Sequence, residues 1–570
     1  MNSDSRGVEM RRGKVSKKNK NTKLKSAAPE KQSSTQPASF VRSAIRKPGP
    51  AMLSLASVML ATSAMAQDAG GALPTIDVQD TAGGGYQTTD SQLTRIPTPL
   101  RDTPQTINVV PKQVIEEQRI TSMEDALRTI PGITFSAGEG GQQGDSPIIR
   151  GFAARGDVFR DGVRDPGWYT RDLFSADRVE VYKGPSAFAF GRGSTGGAIN
   201  IVSKLPVSAV PYLEGTVTGT SASGYRAEVD ASGKKDNVWG RISAMYQDMP
   251  TPDRDNVYAK RWGVAPSLKI DLNQDTRVSL NYIYQGEESI PDYGHPYLPA
   301  PRYNADGSVA SQGYYGNTQP TGPVPVPRGN WYGVKNGPLA DVVKTETHIV
   351  TGKFEHDFTN DLKFSNTTRY VSVDRFARVV APRSLGDAAN TVFLPTSTSV
   401  LSPTNYNYPA GQMTIGRQHF QTETDNSFLV NQTDLTGKLN TWGLLHTFNI
   451  GLEASQETRD QRRANLCTAT SLACRTNLWS PNEISDNGTY AWNDPNATRA
   501  TTVAVYASDQ IKINEYFELM GSIRYDDFRT TYTDYSQPVA MRDQSRSDGL
   551  TSWRVGGVFH PTKNSSVYAA

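Results

Sequence analysis

Residues 177–204 read DRVEVYKGPSAFAFGRGSTGGAINIVSK, and this stretch separates two kinds of sequence pattern. Val179, Val181 and Tyr182 favour one β-strand, and residues 198–202 favour a second. Between them lie Gly184-Pro185 and further glycines, which favour a tight turn. The stretch therefore predicts a strand, a glycine-rich turn and a strand. Mixed α/β patterns precede it, and long alternating patterns follow it.

The turn also contains Gly191–Gly196, which matches the spacing G-x-G-x-x-G of dinucleotide-binding loops. Such a loop holds a pyrophosphate at the N-terminus of a helix, whereas here a second strand is predicted after the glycines. We therefore reject nucleotide binding at this motif.

The N-terminus has the pattern of an exported protein. Residues 1–66 hold 13 Lys/Arg and 3 Asp/Glu, and the remainder of the chain is net acidic. Residues 51–66 are uncharged and mostly apolar and end in Ala64-Met65-Ala66, a small-x-small pattern. We interpret residues 1–66 as a signal peptide with a long basic extension, cleaved between Ala66 and Gln67. A membrane anchor is the alternative, and no nucleic-acid partner is expected because no folded reader domain follows the basic residues.

The mature chain divides into three parts by composition. Residues 67–85 are small and polar and predict a flexible segment, in which Leu73–Val78 is a short β-prone run that could add to another protein's sheet or be a plain linker. Residues 86–205 predict a mixed α/β domain. It contains a strand over residues 105–110 and a helix whose capping box begins at Thr121 and ends at Glu124.

Residues 206–570 change to a period of two. Val278, Leu280 and Tyr282 alternate with polar residues, as do Val503 and Val505. Two short turns are predicted, and three long loops. The turns are Ser221–Gly224 and Asn273–Thr276, and the loops are Glu288–Val342, Pro382–Thr422 and Arg459–Ala500. Short turns on one side and long loops on the other are the layout of a membrane-spanning antiparallel β-barrel, with a soluble β-sandwich as the alternative. About a dozen strands are expected, the last near Ser565, so that we expect the barrel to be incomplete at the C-terminus.

The sequence contains no recognisable catalytic or metal-binding motif. Six histidines are scattered without metal-ligand spacing, and no nucleophile or paired-carboxylate motif is evident, so neither an enzyme nor a metal site is expected. The two cysteines, Cys467 and Cys474, have six residues between them in an exported chain, which favours a disulfide.

One constellation suggests binding. Guanidinium and aromatic side chains interleave on a loop-rich segment: Arg150, Arg155, Arg160, Arg164, Trp168, Tyr169 and Arg171. Such a set suits an anionic, partly aromatic ligand, and it also suits structural salt bridges. The sequence pattern leaves both interpretations open.

Several motifs together resemble a known family. They are Ile149-Arg150-Gly151, Val163-Arg164-Asp165, Arg178-Val179-Glu180-Val181, Lys183-Gly184-Pro185-Ser186 and Gly196-Gly197-Ala198-Ile199-Asn200. With the signal peptide and the alternating strands, the chain resembles the TonB-dependent outer-membrane siderophore receptors, and within them the catecholate receptors. The resemblance covers residues 73–570. It implies a barrel of about 22 strands when complete, with the mixed α/β domain inside it as a plug.

The resemblance also implies a function, partners and residue roles. Ferric siderophore would bind from outside, with iron carried in the ligand and no cofactor bound directly, and TonB with ExbB and ExbD would supply energy. The protein would be a monomer in the lipid of the bacterial outer membrane. The TonB-binding segment, or Ton box, would be Pro74, Thr75, Ile76, Asp77 and Val78. A receptor of this architecture for haem, cobalamin or a glycan, and a passive porin, are the alternatives.

The residues of the plug take two implied roles. Those expected to contact the ligand are Arg155, Arg160, Arg164, Trp168, Tyr169 and Arg171. Those expected to be structural are Arg150, Gly151, Glu180, Lys183, Gly184, Pro185, Gly196 and Gly197. Arg150 is expected to continue a strand and to form an ion pair between plug and barrel.

Overall fold

The structure is a computed structural model. It describes residues 85–136, 144–298, 302–303, 306, 308–311, 322–324, 326–387, 413–467, 474–482 and 489–570. The predicted signal peptide and the Ton box Pro74–Val78 lie outside the described residues. No helix in the described part of the chain is both long and apolar enough to span a membrane.

Residues 85–204 form a small α/β domain, which we call the plug. Its strands are β1 (Thr106–Val110), β2 (Ile133–Phe135), β3 (Pro147–Ile149), β4 (Phe152–Ala153), β5 (Val158–Arg160), β6 (Val163–Arg164), β7 (Ala176–Lys183) and β8 (Gly197–Ser203). Its helices are α1 (Lys112–Glu117), α2 (Met123–Leu127) and α3 (Ala187–Phe190), with a 3-10 helix at Leu100–Asp102. One sheet has the order β1-β7-β8-β5-β6, and β2-β3-β4 form another.

The predicted strand–turn–strand at residues 177–204 is the centre of the plug sheet. Strands β7 and β8 pair antiparallel, with Val181 opposite Ile199. The structure adds the short helix α3 to the predicted turn. Apolar side chains of both strands, among them Val179 and Ile201, are fully buried against Leu127 and Ile149 in one hydrophobic core. Burial of these side chains is the main force that holds the plug together.

Two local predictions in the plug were wrong: the residue that caps α2 and the conformation of Arg150. Helix α2 is capped by Ser122, whose hydroxyl accepts from the backbone N–H of Asp125 at 3.2 Å, so that the cap is one residue later than Thr121. Arg150 does not continue a strand. It has a φ of 51° and lies in the turn between β3 and β4, and among the described residues it forms no ion pair.

The rest of the chain forms one large antiparallel sheet, which we call the barrel sheet. In order of pairing its strands are β9 (Tyr212–Gly219), β10 (Tyr225–Lys235), β11 (Val238–Pro250), β12 (Tyr258–Asp271), β13 (Thr276–Ile290), β18 (Val342–Thr359), β19 (Leu362–Asp387), β20 (Met413–Thr441), β21 (Leu444–Cys467), β24 (Asn496–Lys512), β25 (Phe517–Asp534), β26 (Asp543–Thr562) and β27 (Ser565–Ala569). Small strands lie in the connections: β14 (Tyr297–Leu298), β15 (Arg302–Tyr303), β16 (Val309–Ser311), β17 (Gly322–Pro323), β22 (Arg475–Asn477) and β23 (Ala491–Trp492). A second 3-10 helix spans Val539–Met541.

The connections of the barrel sheet differ between its two ends. At one end, the short-turn end, β18 and β19 and likewise β20 and β21 are joined by two residues. The three long connections lie at the other end, the long-loop end. Because consecutive strands are antiparallel, the turn Ser221–Gly224 also lies at the long-loop end, which corrects its assignment to the short side. Strands β19, β20 and β21 have 26, 29 and 24 residues, far more than the roughly 10 that cross a bilayer.

The two faces of the barrel sheet have opposite chemistry. Apolar side chains such as Leu280, Ile450 and Val503 are about half exposed or more. Polar side chains on the alternate positions, such as Glu453 and Gln510, contact the plug. This arrangement, apolar outside and polar inside, is the reverse of a soluble sandwich and is typical of a barrel in lipid.

Ion pairs hold the plug against the inner face. Arg226 of β10 donates to both carboxylate oxygens of Asp172 at 2.8 and 2.7 Å, and both side chains are almost fully buried. Arg261 of β12 lies 3.6 Å from the same carboxylate. Arg369 of β19 donates to Asp161 at 2.8 Å and to the carbonyl of Arg160. Plug and barrel sheet are therefore joined by charge pairs whose partners come from distant parts of the sequence.

We expect Arg226→Leu to destabilise the protein by about 3–5 kcal/mol, because Asp172 keeps its buried charge and loses its bidentate partner. Urea unfolding measures this change. The matched control is Arg529→Leu, which removes an exposed arginine paired with Asp527 at 2.8 Å and should cost less than about 1 kcal/mol. Equal losses in the two variants would contradict a structural role for the Arg226–Asp172 pair.

Candidate ligand-binding site

An aromatic ring of the plug is held between two arginines toward the long-loop end. The guanidinium carbon of Arg155 lies 4.6 Å from the ring centroid of Trp168, and that of Arg459 lies 4.5 Å from it. Arg155 belongs to the plug and Arg459 to β21. Each guanidinium is attracted by the electron-rich face of the indole. The site therefore joins plug and barrel sheet through one tryptophan.

A third arginine adds positive charge to this site. Arg375 of β19 is 3% exposed and lies within electrostatic range of Arg155 and Arg459. Among the described residues, neither of its Nη atoms has a hydrogen-bond partner. Burial and the charges of Arg171 and Arg459 lower the pKa of Arg155. Several like charges are thus gathered where a negatively charged ligand would neutralise them.

A buried ion-pair network inside the plug fixes the segment that carries Trp168. Arg171 is fully buried and contacts Asp165 at 3.0 Å and Asp145 at 3.4 Å. The hydroxyl of Tyr169 donates to Asp165 at 2.7 Å. Burial raises the pKa of Asp145 to about 6, against the opposing effect of Arg171. These contacts position the loop without using residues that a ligand could reach.

The six residues expected to contact the ligand therefore separate into two groups. Arg155 and Trp168 form the site, and half-buried Arg164 lies near it, donating to the carbonyl of Arg192 at 2.7 Å. The other three residues are interior and structural, which corrects the expectation that they reach the ligand: Arg160, Tyr169 and Arg171 are 2%, 3% and 0% exposed. Their charges and hydroxyl serve the packing of the plug.

The residues expected to be structural lie in β7, in the connection from β7 to β8, at the start of β8 and in the turn between β3 and β4. Glu180 is fully buried and accepts from Tyr182, Asn200 and Arg178 at 2.7–3.0 Å. Arg150 lies against Gly184, in the Lys183-Gly184-Pro185 turn that follows β7.

Two glycines let the backbones of the plug approach closely. A Cβ at Gly196 would lie 2.3 Å from the carbonyl oxygen of Ile149, next to the Arg150-Gly151 turn, and one at Gly197 would lie 2.2 Å from that of Tyr182. Only glycine fits at these positions.

Two residues of the site could not be identified beforehand. Arg375 and Arg459 lie within polar–apolar alternations that look like any inward barrel position. Only the strand pairing brings Arg459 to Trp168 and Arg375 within electrostatic range of Arg155 and Arg459. A local signal existed for Arg459, because it follows a predicted strand at the start of a predicted long loop. Cys474 is disulfide-bonded, as the predicted pair requires, and the side chain of Cys467 lies outside the described residues.

Comparisons with known families match both halves of the chain. Residues 99–198 match the TonB-dependent Receptor Plug Domain, and residues 277–570 match the TonB dependent receptor-like, beta-barrel family. The chain belongs to the TonB-dependent receptors. The second match alone covers more than half of the sequence, and it confirms the expected fold class of a β-barrel with an N-terminal plug. Members of this family are receptors and transporters, not enzymes.

Individual relatives agree with this assignment. The chain is 31% identical over 535 residues to the "Probable TonB-dependent siderophore receptor PiuA" of Acinetobacter baumannii, covering 90% of this chain and 66% of that protein. It is 30% identical over 507 residues to the "Catecholate siderophore receptor Fiu" of Escherichia coli K12, covering 85% of this chain and 62% of that protein. The chain thus spans just under two thirds of the length of these curated relatives.

Solved structures show the same architecture. The crystal structure of PiuA from A. baumannii matches with a TM-score of 0.72 and 27% identity, covering 85% of this chain and 66% of that one. The closed form of the ferric-catecholate import receptor Fiu from E. coli K12 matches with a TM-score of 0.71 and 29% identity, covering 85% and 67%.

We expect Arg375→Met to stabilise this TonB-dependent receptor by about 1–3 kcal/mol, because it removes a buried guanidinium with unsatisfied donors. The free energy of unfolding in urea measures the change. The control is Arg369→Met on the same face of β19. Its guanidinium is fully engaged, with Thr351 and Asp161 both at 2.8 Å, so that its loss should be destabilising. If both variants are destabilised alike, Arg375 is a structural residue and not part of a ligand site.

Proposed function

We propose that the protein is an outer-membrane receptor that imports a ferric siderophore, of the catecholate type, into the periplasm. It acts as a monomer, with energy supplied by TonB, ExbB and ExbD. Iron enters as cargo within the siderophore and not as a resident cofactor. The observation that carries the proposal is the site at Trp168 toward the long-loop end, where Arg155 and Arg459 contact the ring and Arg375 lies within electrostatic range of both arginines.

The chemistry of this site matches that of a ferric catecholate. Such a complex is negatively charged and presents aromatic rings, so that Arg155, Arg375 and Arg459 supply opposite charge and Trp168 supplies a stacking surface. Arginine suits this task because its planar guanidinium binds oxygen anions and also stacks on rings. The similarity to PiuA, a probable siderophore receptor, and to Fiu, a catecholate siderophore receptor, supports the same ligand class.

The architecture requires an external source of energy. The plug is fastened to the barrel sheet by buried ion pairs such as Arg226–Asp172, so that its displacement has a large free-energy cost. An outer membrane holds no ATP. We therefore assign the Ton box to Pro74–Val78, where a strand added to TonB would allow a pull on the plug.

Uptake measurements test the proposal as a whole. Cells that express the full-length receptor should accumulate iron from ferric catecholates when TonB is present and not when it is deleted. Equal uptake with and without TonB would indicate a passive porin instead. Binding of haem, cobalamin or a glycan without binding of ferric catecholates would overturn the ligand class and leave the architecture intact.

We expect Arg155→Ala and Arg459→Ala each to weaken binding of a ferric catecholate about tenfold, which is ~1.4 kcal/mol and within the range of one hydrogen bond. Quenching of tryptophan fluorescence in the purified receptor measures the affinity. Arg529→Ala is the control, because Arg529 is exposed on the outer face of β25 and should leave binding unchanged. Unchanged affinity in both site variants would remove the Trp168 site from the proposal.

We expect Ile76→Pro in the Ton box to abolish uptake and to leave binding intact, because proline removes a backbone donor that strand pairing needs. Iron uptake and binding are measured on the same cells. Ile76→Val, which keeps the donor and the β-propensity, is the matched control and should transport normally. Loss of binding together with uptake would show that the segment is not the Ton box.

A further inference from the structure

A second group of polar side chains joins plug and barrel sheet, at the short-turn end. It consists of Asp102 from the 3-10 helix of the plug, Glu518 from the start of β25 and His560 from the end of β26. One ligand atom of each lies within 4.8 Å of the other two. The ligand site at Trp168 does not include these residues, and no ion pair of the plug described above uses them.

His560 is the residue of this group that has a ring nitrogen without a hydrogen-bond partner in the described part of the chain. It is 7% exposed, and its buried Nε2 has no hydrogen-bond partner among the described residues. This atom faces Glu518 Oε1 at 3.5 Å and Asp102 Oδ1 at 3.8 Å. Both distances are longer than the usual 2.7–3.2 Å of a hydrogen bond, so that the nitrogen points between two carboxylates without being bound by either.

These separations are those of ligands around a small metal ion. Tetrahedral Zn²⁺ with bonds of about 2.0–2.1 Å places neighbouring ligand atoms about 3.3 Å apart. The observed 3.5 and 3.8 Å need only small movements to reach that geometry. Imidazole nitrogen and carboxylate oxygen are both common Zn²⁺ ligands, and three protein ligands leave a fourth position for water.

The surroundings already orient the carboxylates. Gln510 Nε2 donates to Glu518 Oε2 at 2.6 Å and to the backbone carbonyl of Asp102 at 2.7 Å, so that it ties the two carboxylate residues together. Glu518 Oε1 stays open toward His560. Asp102 Oδ1 accepts from Arg101 Nε at 2.8 Å and has a second lone pair for a metal. Support of this kind from outer residues is typical of metal sites.

We propose that Asp102, Glu518 and His560 form a site for a divalent transition metal, with Zn²⁺ as the best-suited ion, that fastens the N-terminal part of the plug to β25 and β26. Metal bound there crosslinks Leu100–Asp102 to the barrel wall. It therefore raises the resistance of the plug to displacement. The site stands on its own geometry and does not depend on the identity of the siderophore.

Metal binding by the purified full-length receptor in detergent tests the proposal. Titration with Zn²⁺ should show one bound ion per chain that is lost in His560→Ala and weakened in Glu518→Gln, which keeps the shape of the side chain. Co²⁺ should give the visible absorption of a tetrahedral site in the wild type and in His446→Ala, and not in His560→Ala. His446→Ala is the control, because His446 is also at the short-turn end and contacts a single carboxylate, Asp509 at 2.7 Å.

A second measurement separates loss of the site from loss of folding. Zn²⁺ should slow amide hydrogen exchange of residues 100–103 in the wild type and in His446→Ala, and not in His560→Ala, whose β-sheet content by circular dichroism should be unchanged. Undiminished Zn²⁺ binding in His560→Ala overturns the proposal. Absence of Zn²⁺ binding in the wild type overturns it as well, and would leave His560 as the partner of two carboxylates when protonated.

Discussion

The buried ion pair between Arg226 and Asp172 shows the constraint on which the rest of the molecule depends. A barrel with a lipid-facing exterior has its polar residues inside, so that a domain placed inside must present charges and hydrogen-bonding groups to its walls. Asp172 meets this requirement by accepting two hydrogen bonds from Arg226, with Arg261 close by. Arg369 and Asp161 repeat the arrangement on another strand. A plug held in this way is fixed in place, and the interface between plug and barrel sheet stays polar.

Arg375 is an exception to the rule that buried charges at this interface are paired. Arg369 and Arg375 are six positions apart in β19, so that their side chains lie on the same face of the strand, and both are buried. The first has every donor group near a partner, whereas the Nη atoms of the second have none in the described part of the chain. A buried guanidinium whose Nη donors have no hydrogen-bond partner is unfavourable for folding, and it becomes favourable when an anion accepts from it. We infer that stability at this position has been exchanged for affinity.

The sequence predicts well whatever depends on neighbours along the chain. The alternation around Val503 requires only that successive side chains of a strand point to opposite faces, and the pairing of β7 with β8 requires only two strand-like runs around a turn. It predicts poorly what depends on distant partners. Arg171 looks like a ligand contact until Asp145 and Asp165 enclose it. The place of Arg459 at the start of a predicted loop does not show that the strand register brings it to Trp168. Resemblance to a family supplies the architecture and not these pairings.

The two ends of the plug therefore differ in the sign of the charge that they gather. At the long-loop end, Arg155, Arg375 and Arg459 gather positive charge that a ligand can neutralise. At the short-turn end, Asp102 and Glu518 gather negative charge around the uncharged or protonated ring of His560, where a cation is the natural complement. An anion bound at one end and a cation bound at the other both tighten the contact between plug and barrel sheet. In the proposed transport function that contact has to be broken, and the force on the proposed Ton box must exceed the resistance of both ends together.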